Sequence, residues 1–169
     1  MRNDVTPVTP VTPGPGQESV WDYPRPPRVE ATSERIRIRF GGETIVDTTD
    51  AVRVLETSHP PVYYVPRSEF ADGVLAKALG ASFCEFKGAA KYLTVCAGSA
   101  RAESAGWFYP NPSPGYELLA NRVAVYPSAM DSCEVAGETV SPQAGDFYGG
   151  WITSRVVGPF KGEAGTMGW

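Results

Sequence analysis

The run Glu-Thr-Ser-His-Pro-Pro at residues 56–61 holds the chain's single histidine, His59, three residues after Glu56. An imidazole changes its charge near neutral pH and can act as a general acid or base, and a nearby carboxylate can orient it. In a regular strand, side chains three positions apart point to opposite faces, so Glu56 and His59 converge only across a turn. Pro60 disfavours helical backbone for His59 and predicts an extended loop. The alternative is a partly buried histidine that only bonds a loop backbone.

A second candidate is the run Ser-Phe-Cys-Glu-Phe-Lys-Gly at 82–88. Interpreted as a strand, it places Glu85 and Lys87 as neighbours on one face, and Cys84 and Phe86 on the other, core-facing side. A lysine beside a carboxylate can bind phosphate or stabilise a developing anion. A plain surface ion pair is the alternative. A core-facing Cys84 is interpreted as a small apolar residue and not as a nucleophile.

Together these runs predict one pocket in which His59 is the acid or base, Glu56 orients it and Lys87 binds an anion. Its catalytic candidates are Glu56, His59, Glu85 and Lys87. Its apolar walls are expected from the aromatic residues Tyr63, Tyr64, Trp107, Tyr109 and Trp151, because ligand pockets combine aromatic walls with a few convergent polar groups. The expected ligand is a small molecule with an anionic or phosphoryl group. The residues name no cofactor and leave open whether the pocket catalyses a reaction.

Composition excludes several classes of protein. The 169 residues allow one domain with a sizeable core, and the net charge of −4 argues against broad nucleic-acid binding. No apolar run approaches the roughly 20 residues that span a bilayer, and no signal peptide is visible. We therefore expect a cytoplasmic protein that is not associated with a membrane. The three cysteines are widely spaced. We therefore expect neither a disulfide framework nor a zinc site.

The elements that position the pocket are mostly strands. Within residues 34–40, Ile36, Ile38 and Phe40 alternate with three arginines, which predicts a half-buried strand, and Gly41–Gly42 can form the following hairpin turn. Residues 133–140 contain a similar Gly-Glu-Thr step and predict a second hairpin. Helix signals are few: Ser68 predicts a helix that ends at Gly80, and Ser113–Pro114 a shorter one. The pattern indicates a mostly-β domain with one or two short helices.

The two ends of the chain differ in composition from its middle. Residues 1–17 repeat Val-Thr-Pro and predict a disordered tail, because almost nothing there can be buried. Residues 18–169 are expected to form a single β domain with a core at about 34–142. The stretch 143–169 is rich in glycine and aromatic residues and is expected to wrap on that core as ordered coil.

Longer runs carry a family resemblance. VRVLETSHPPVYYVP, FCEFKGAAKYLTV, GWFYPNPSP and FYGGWITSRVVGPFKG together resemble the bacterial domain-of-unknown-function family numbered 427 over roughly residues 18–169. The resemblance implies a compact, tent-like twisted β fold similar to methionine sulfoxide reductase B and zinc-binding exchange-factor-like proteins. The zinc cysteines of those relatives have no counterpart here. Phe86 stands where the family most often has Trp.

The sequence is compatible with three functions. The first is a small-molecule-binding pocket, with or without catalysis, built from Glu56, His59, Glu85 and Lys87. The second is a non-catalytic module that binds a protein partner through exposed apolar residues. The third is a nucleotidyltransferase, a label sometimes given to the resembling family, although no nucleotidyltransferase motif is found in the sequence.

Overall fold

The computed structural model describes residues 7–145 and 147–169, so the first six residues of the predicted tail and Asp146 lie outside the description. The described chain is mostly β, as the sequence predicts. Its strands are β1 (Glu18–Ser19), β2 (Arg28–Thr32), β3 (Ile36–Phe40), β4 (Glu43–Thr48), β5 (Ala51–Leu55), β6 (Val62–Pro66), β7 (Leu75–Cys84), β8 (Gly88–Ala97), β9 (Ala100–Phe108), β10 (Arg122–Val125), β11 (Ser132–Val135), β12 (Glu138–Thr139), β13 (Ser141–Pro142), β14 (Trp151–Ile152) and β15 (Val156–Val157).

The strands form two main antiparallel sheets. One has seven strands in the order β2-β5-β6-β10-β9-β8-β7, and the other has four in the order β12-β11-β3-β4. Two short pairs form separate two-stranded sheets: β13 pairs with β14, and β1 pairs with β15 in parallel. In the described part of the chain, no helix has the length and apolar character needed to cross a membrane.

Both predicted hairpins are present in the four-stranded sheet. β3 and β4 turn at Gly41–Gly42, whose φ angles are both positive, 60° and 77°. β11 and β12 turn at Ala136–Gly137, again with two positive φ angles. Positive φ at both central residues gives the turn a twist that matches the flanking strands. The two hairpins pair with each other through β11 and β3.

The predicted helix from Ser68 to Gly80 is wrong. Arg67–Glu69 forms a single 3₁₀ turn, and Leu75 begins the long strand β7, which pairs with β8. Gly73 and Gly80 both have positive φ, which interrupts a helical backbone, and Leu79 is 96% exposed where a helix would bury it. The shorter predicted helix is also only a 3₁₀ turn, at Glu117–Leu119. The remaining 3₁₀ turns are Val20–Asp22 and Pro127–Ala129.

The central strands of the seven-stranded sheet are buried on both faces. On one face, Tyr63 and Val65 pack with the four-stranded sheet in the main core. On the opposite face, Tyr64 joins a smaller cluster with Val54 and Leu119. Because successive side chains of a strand alternate between faces, neighbouring residues of β6 enter different environments.

A buried arginine fixes the N-terminal segment to this sheet. Arg53 on β5 is only 8% exposed, and it donates to Glu30 on β2 and to Glu18 on β1. Tyr23 donates to the same Glu18 carboxylate at 3.0 Å. The cation therefore pairs with two carboxylates that belong to separate elements. Burial raises the pKa of Tyr23, and the neighbouring Glu18 raises it further, so its phenol remains neutral.

We expect Arg53→Met to destabilise the fold by about 2–3 kcal/mol, because it leaves Glu18 and Glu30 without their shared cation. Those carboxylates are about a third exposed, which places the cost near the low end for a broken buried pair. Urea denaturation measures the change. The matched control is Arg35→Met, which breaks the surface pair with Asp47 and should change the free energy of unfolding much less. Equal costs for the two variants would contradict a structural role for Arg53.

The N-terminal boundary can be tested by truncation. Residues 7–17 are mostly exposed, although Val11 donates its N–H to Gly158 O at 2.8 Å. Removal of residues 1–17 should lower the melting temperature by less than about 3 °C, whereas removal of 1–23 should lower it by about 10 °C or more. The longer deletion takes away the buried side chains of Val20 and Tyr23. A large loss already in the shorter deletion would show that the tail is part of the fold.

Candidate functional site

A cavity of about 360 Å³ opens on the face of the seven-stranded sheet that Tyr64 occupies. Its walls come from the ends of β5, β6, β7, β8 and β9 and from the C-terminal stretch. Aromatic and polar side chains share the lining: Glu56, His59, Pro60, Tyr64, Ser82, Phe83, Cys84, Lys87, Tyr92, Trp107, Tyr109, Tyr126, Gln143, Phe147, Tyr148 and Lys161, with Val54, Val62 and Gly149. A cavity of this size accommodates a small organic molecule.

A tight turn brings Glu56 and His59 together. His59 donates its backbone N–H to Glu56 O at 3.0 Å, and Ser58 has a φ of 72°. Positive φ at the third residue of a four-residue turn is the type II geometry, in which the first and last residues approach each other. As a result His59 Nε2 lies 3.4 Å from Glu56 Oε2. The turn that convergence requires is present.

Gln143 completes the surroundings of His59, and nothing in the sequence pointed to it. Its Nε2 lies 3.2 Å from His59 Nδ1 and donates to Lys161 O at 2.7 Å, and its Oε1 accepts from Gly150 N at 3.0 Å. A side chain on Gly150 would collide with Gln143 Oε1 and with Pro60, so the glycine permits this close approach. Because Gln143 is 84 residues from His59, no local pattern could reveal the pair.

Two lysines give the cavity positive charge. Lys87 Nζ lies 5.9 Å from the Tyr109 ring centre, and Lys161 Nζ lies 5.8 Å from that of Tyr148. Both distances allow a cation–π attraction. Lys161 Nζ also donates to Trp169 O at 3.2 Å. The Tyr109 ring has no net charge, so this contact does not neutralise Lys87.

The aromatic wall is held by its own contacts. Trp107 donates its Nε1–H to the Tyr64 hydroxyl at 3.1 Å, and its ring lies 4.6 Å from that of Tyr126. Gly149 packs so closely on the Trp107 ring that a side chain there would collide with it. Burial raises the pKa of Tyr64 and Tyr109, and burial raises that of Tyr126 to about 12. The phenols are therefore neutral hydrogen-bonding groups at physiological pH.

Three predicted site residues lie elsewhere. Glu85 is exposed and outside the lining of the cavity. Tyr63 and Trp151 pack against each other in the main core, with ring centres 5.0 Å apart. Tyr63 precedes Tyr64 on β6 and so faces the other side of the sheet. The remaining predicted residues, namely Glu56, His59, Lys87, Tyr64, Trp107 and Tyr109, share the cavity.

The strand predicted over residues 82–88 is also corrected. β7 ends at Cys84 and β8 begins at Gly88, so Glu85 and Lys87 stand in the connecting turn and not side by side on a strand. Cys84 lines the cavity, half-buried, and its Sγ accepts from Lys87 N at 3.5 Å. The turn directs Lys87 to the cavity while Glu85 stays in solvent. Within the described ranges, no group of three or more His, Cys, Asp or Glu side chains is placed to hold a metal ion.

Glu56 carries the negative charge of the cavity. Burial raises its pKa, but the hydrogen bond and charge of His59, together with the charges of Lys87 and Arg25, lower it more, so that the net pKa lies below the usual 4.5. Arg25 Nη2 lies 3.2 Å from Glu56 Oε2. The carboxylate is ionised at neutral pH, and its two nearest partners are Arg25 and His59.

The lowered pKa predicts a pH dependence. Ionised Glu56 stabilises the fold fully above about pH 4.5, the unfolded-state value, and this contribution is lost as the pH falls through the lower folded-state pKa. The melting temperature of the wild type should exceed that of Glu56→Gln at neutral pH, and the gap should close on acidification. The control is Glu85→Gln, which changes an exposed carboxylate. A gap that widens in acid would contradict the pairing.

The family comparison agrees with the resemblance noted in the sequence. No curated protein matches the chain. A family model described as a domain of unknown function (DUF427) matches residues 28–136, which include Glu56, His59, Lys87 and Trp107 but not Gln143. This match covers well over half of the chain. The chain belongs to the DUF427 family.

Proposed function

We propose that the chain binds a small organic molecule with a flat aromatic body and one anionic group in the cavity around His59 and Lys87. The observation that carries this proposal is the combination of aromatic walls with two lysines, Lys87 and Lys161, in one cavity. Trp107, Tyr64 and Tyr109 supply the flat apolar surface, and stacking on such rings stabilises a planar ligand.

The charge balance favours an anion. Among the described lining residues, Glu56 is the only carboxylate, and it is already bonded to His59 and Arg25. Against this one carboxylate the described lining holds two lysines, Lys87 and Lys161, in a protein whose net charge is −4. An anionic group entering this partly enclosed space gains charge-assisted hydrogen bonds that surface lysines in water provide only weakly.

Acid–base chemistry on the bound molecule is a further part of the proposal. His59 and Glu56 stand at the cavity wall within hydrogen-bonding reach of each other, and Lys87 can stabilise negative charge that develops on a ligand. The neutral tyrosines add hydrogen-bonding groups that orient a polar substituent.

Two matched fluorescent probes test the ligand class. 8-Anilinonaphthalene-1-sulfonate has an aromatic body and an anionic group, and N-phenyl-1-naphthylamine has the same body without the sulfonate. We expect the anionic probe to bind more tightly. Lys87→Met should weaken it by about tenfold, as for a lost hydrogen bond to a charged group, and should leave the neutral probe unchanged. Fluorescence titration gives both dissociation constants.

The control variant is Lys91→Met, which removes an exposed lysine from β8 outside the cavity and should change neither titration. Trp107→Leu should weaken both probes, because it removes part of the shared aromatic wall. Equal affinity for the two probes, or equal effects of Lys87→Met and Lys91→Met, would refute the proposed ligand class.

One observation favours the alternative of a protein-binding module. Leu79 is 96% exposed and Phe83 is 78% exposed on β7, the edge strand of the seven-stranded sheet. Exposed apolar residues on an unpaired edge are typical of a surface that pairs with another chain. Phe83 also lines the cavity, whereas Leu79 does not. A substitution of Leu79 therefore changes the exposed edge without changing the cavity. Leu79→Ser should leave probe binding unchanged if the cavity is the functional site.

A further inference from the structure

We infer that Gln143 holds neutral His59 in the tautomer protonated at Nε2. His59 is then a positioning residue: it orients the Glu56 carboxylate, which accepts a hydrogen bond from an N–H or O–H group of the ligand. The tautomer is independent of the proposed function, whereas the role of Glu56 rests on it. These roles are the reverse of those that the sequence suggested, in which Glu56 orients His59.

The orientation of the Gln143 amide is fixed by two backbone groups. Gly150 N–H is a donor and therefore faces the amide oxygen, at 3.0 Å. The carbonyl of Lys161 is an acceptor and therefore faces the amide nitrogen, at 2.7 Å. A flipped amide would oppose two donors at Gly150 N–H and two acceptors at Lys161 O. Gln143 is only 5% exposed, so water cannot compensate for such a flip.

The fixed amide decides the state of the imidazole. The second N–H of Gln143 Nε2 points at His59 Nδ1, 3.2 Å away. A neutral imidazole accepts at one nitrogen and donates at the other, so Nδ1 must accept and the proton must be on Nε2. His59 Nε2 in turn lies 3.4 Å from Glu56 Oε2. Both ring nitrogens are therefore engaged within the protein, and neither offers a free lone pair to a ligand.

Glu56 is left as the group that meets the ligand. Its Oε2 lies 3.4 Å from His59 Nε2 and accepts from Arg25 Nη2 at 3.2 Å, and in the described structure its Oε1 has no hydrogen-bond partner. The Glu56 side chain is 24% exposed against 15% for His59, and both line the cavity. An ionised carboxylate can only accept hydrogen bonds. The ligand class is therefore narrowed to an aromatic anion that also carries an N–H or O–H donor.

Nitrogen-15 NMR of the labelled full-length protein tests the tautomer. Because His59 is the only histidine, its ring signals need no assignment. We expect a proton coupled to Nε2 and a pyridine-type shift for Nδ1 when the ring is neutral. A proton on Nδ1, or two averaged ring shifts that show rapid exchange between the tautomers, would overturn the inference.

Two substitutions test whether Gln143 sets this state. Gln143→Glu replaces the donor with an acceptor and should move the proton of the neutral ring to Nδ1. Gln143→Met removes the donor without adding charge and should give a mixture of tautomers. The control is Gln17→Glu, a remote surface change near Ser154. Unchanged ring shifts in Gln143→Met would overturn the role of Gln143, even if the buried charge of Gln143→Glu prevents folding.

A pair of probes tests the role of Glu56. 6-Hydroxynaphthalene-2-sulfonate carries a hydroxyl donor, and 6-methoxynaphthalene-2-sulfonate replaces it with a methoxy group that has no donor and one more methyl. Wild type should prefer the hydroxyl probe by about tenfold, and Glu56→Met should abolish the preference. His59→Gln should retain part of it, since an amide N–H can replace the imidazole N–H, and His59→Phe should lose it.

The outcomes separate the two proposals. If wild type binds neither naphthalenesulfonate, the proposed ligand class fails and the role of Glu56 fails with it, while the NMR result still decides the tautomer. If wild type binds both probes equally, the proposed function stands and the role of Glu56 is refuted. A hydroxyl preference that survives in Glu56→Met also refutes that role.

Discussion

The backbone of one loop, residues 56–61, ties both ends of the chain to the central sheet. Ser58 donates its N–H to Val20 O at 3.0 Å and accepts from Lys161 N at 2.8 Å, and Pro61 O accepts from Trp151 N at 2.8 Å. Ser58 is fully buried, and a buried peptide group that lacks a partner costs as much as a lost hydrogen bond. The tight turn of the loop is therefore stabilised by backbone hydrogen bonds to the segments around Val20, Trp151 and Lys161. The positions of Glu56 and His59 depend on these hydrogen bonds.

The same sheet serves as a core on one face and as the floor of a cavity on the other. Alternation along β6 sends Tyr63 into the packed core and Tyr64 into the cavity. The apolar floor raises the cost of burying charge, which makes the pairing of Glu56 with His59 and Arg25 a structural need as well as a chemical feature. It also strengthens any interaction that an incoming anion makes with Lys87.

The cavity requires more of the chain than the matched family segment. Residues 28–136 supply Glu56, His59 and Lys87, but the C-terminal stretch beyond them supplies Gln143 and Lys161. The close approach of Gly149 and Gly150 lets that stretch lie directly on the aromatic wall and on the loop. Only the two parts together surround the imidazole on both of its ring nitrogens.

The sequence by itself determined the features that depend on near neighbours. The alternation of residues 36–40, the hairpin at Gly41–Gly42 and the mostly-β fold follow from local period and turn chemistry, and the spacing of Glu56 and His59 already required a turn. Tertiary structure decided the rest. Pairing with β8 outweighed the weak helical pattern after Ser68. The amide that faces His59 comes from far along the chain, and which face of a strand becomes a cavity depends on what packs against it.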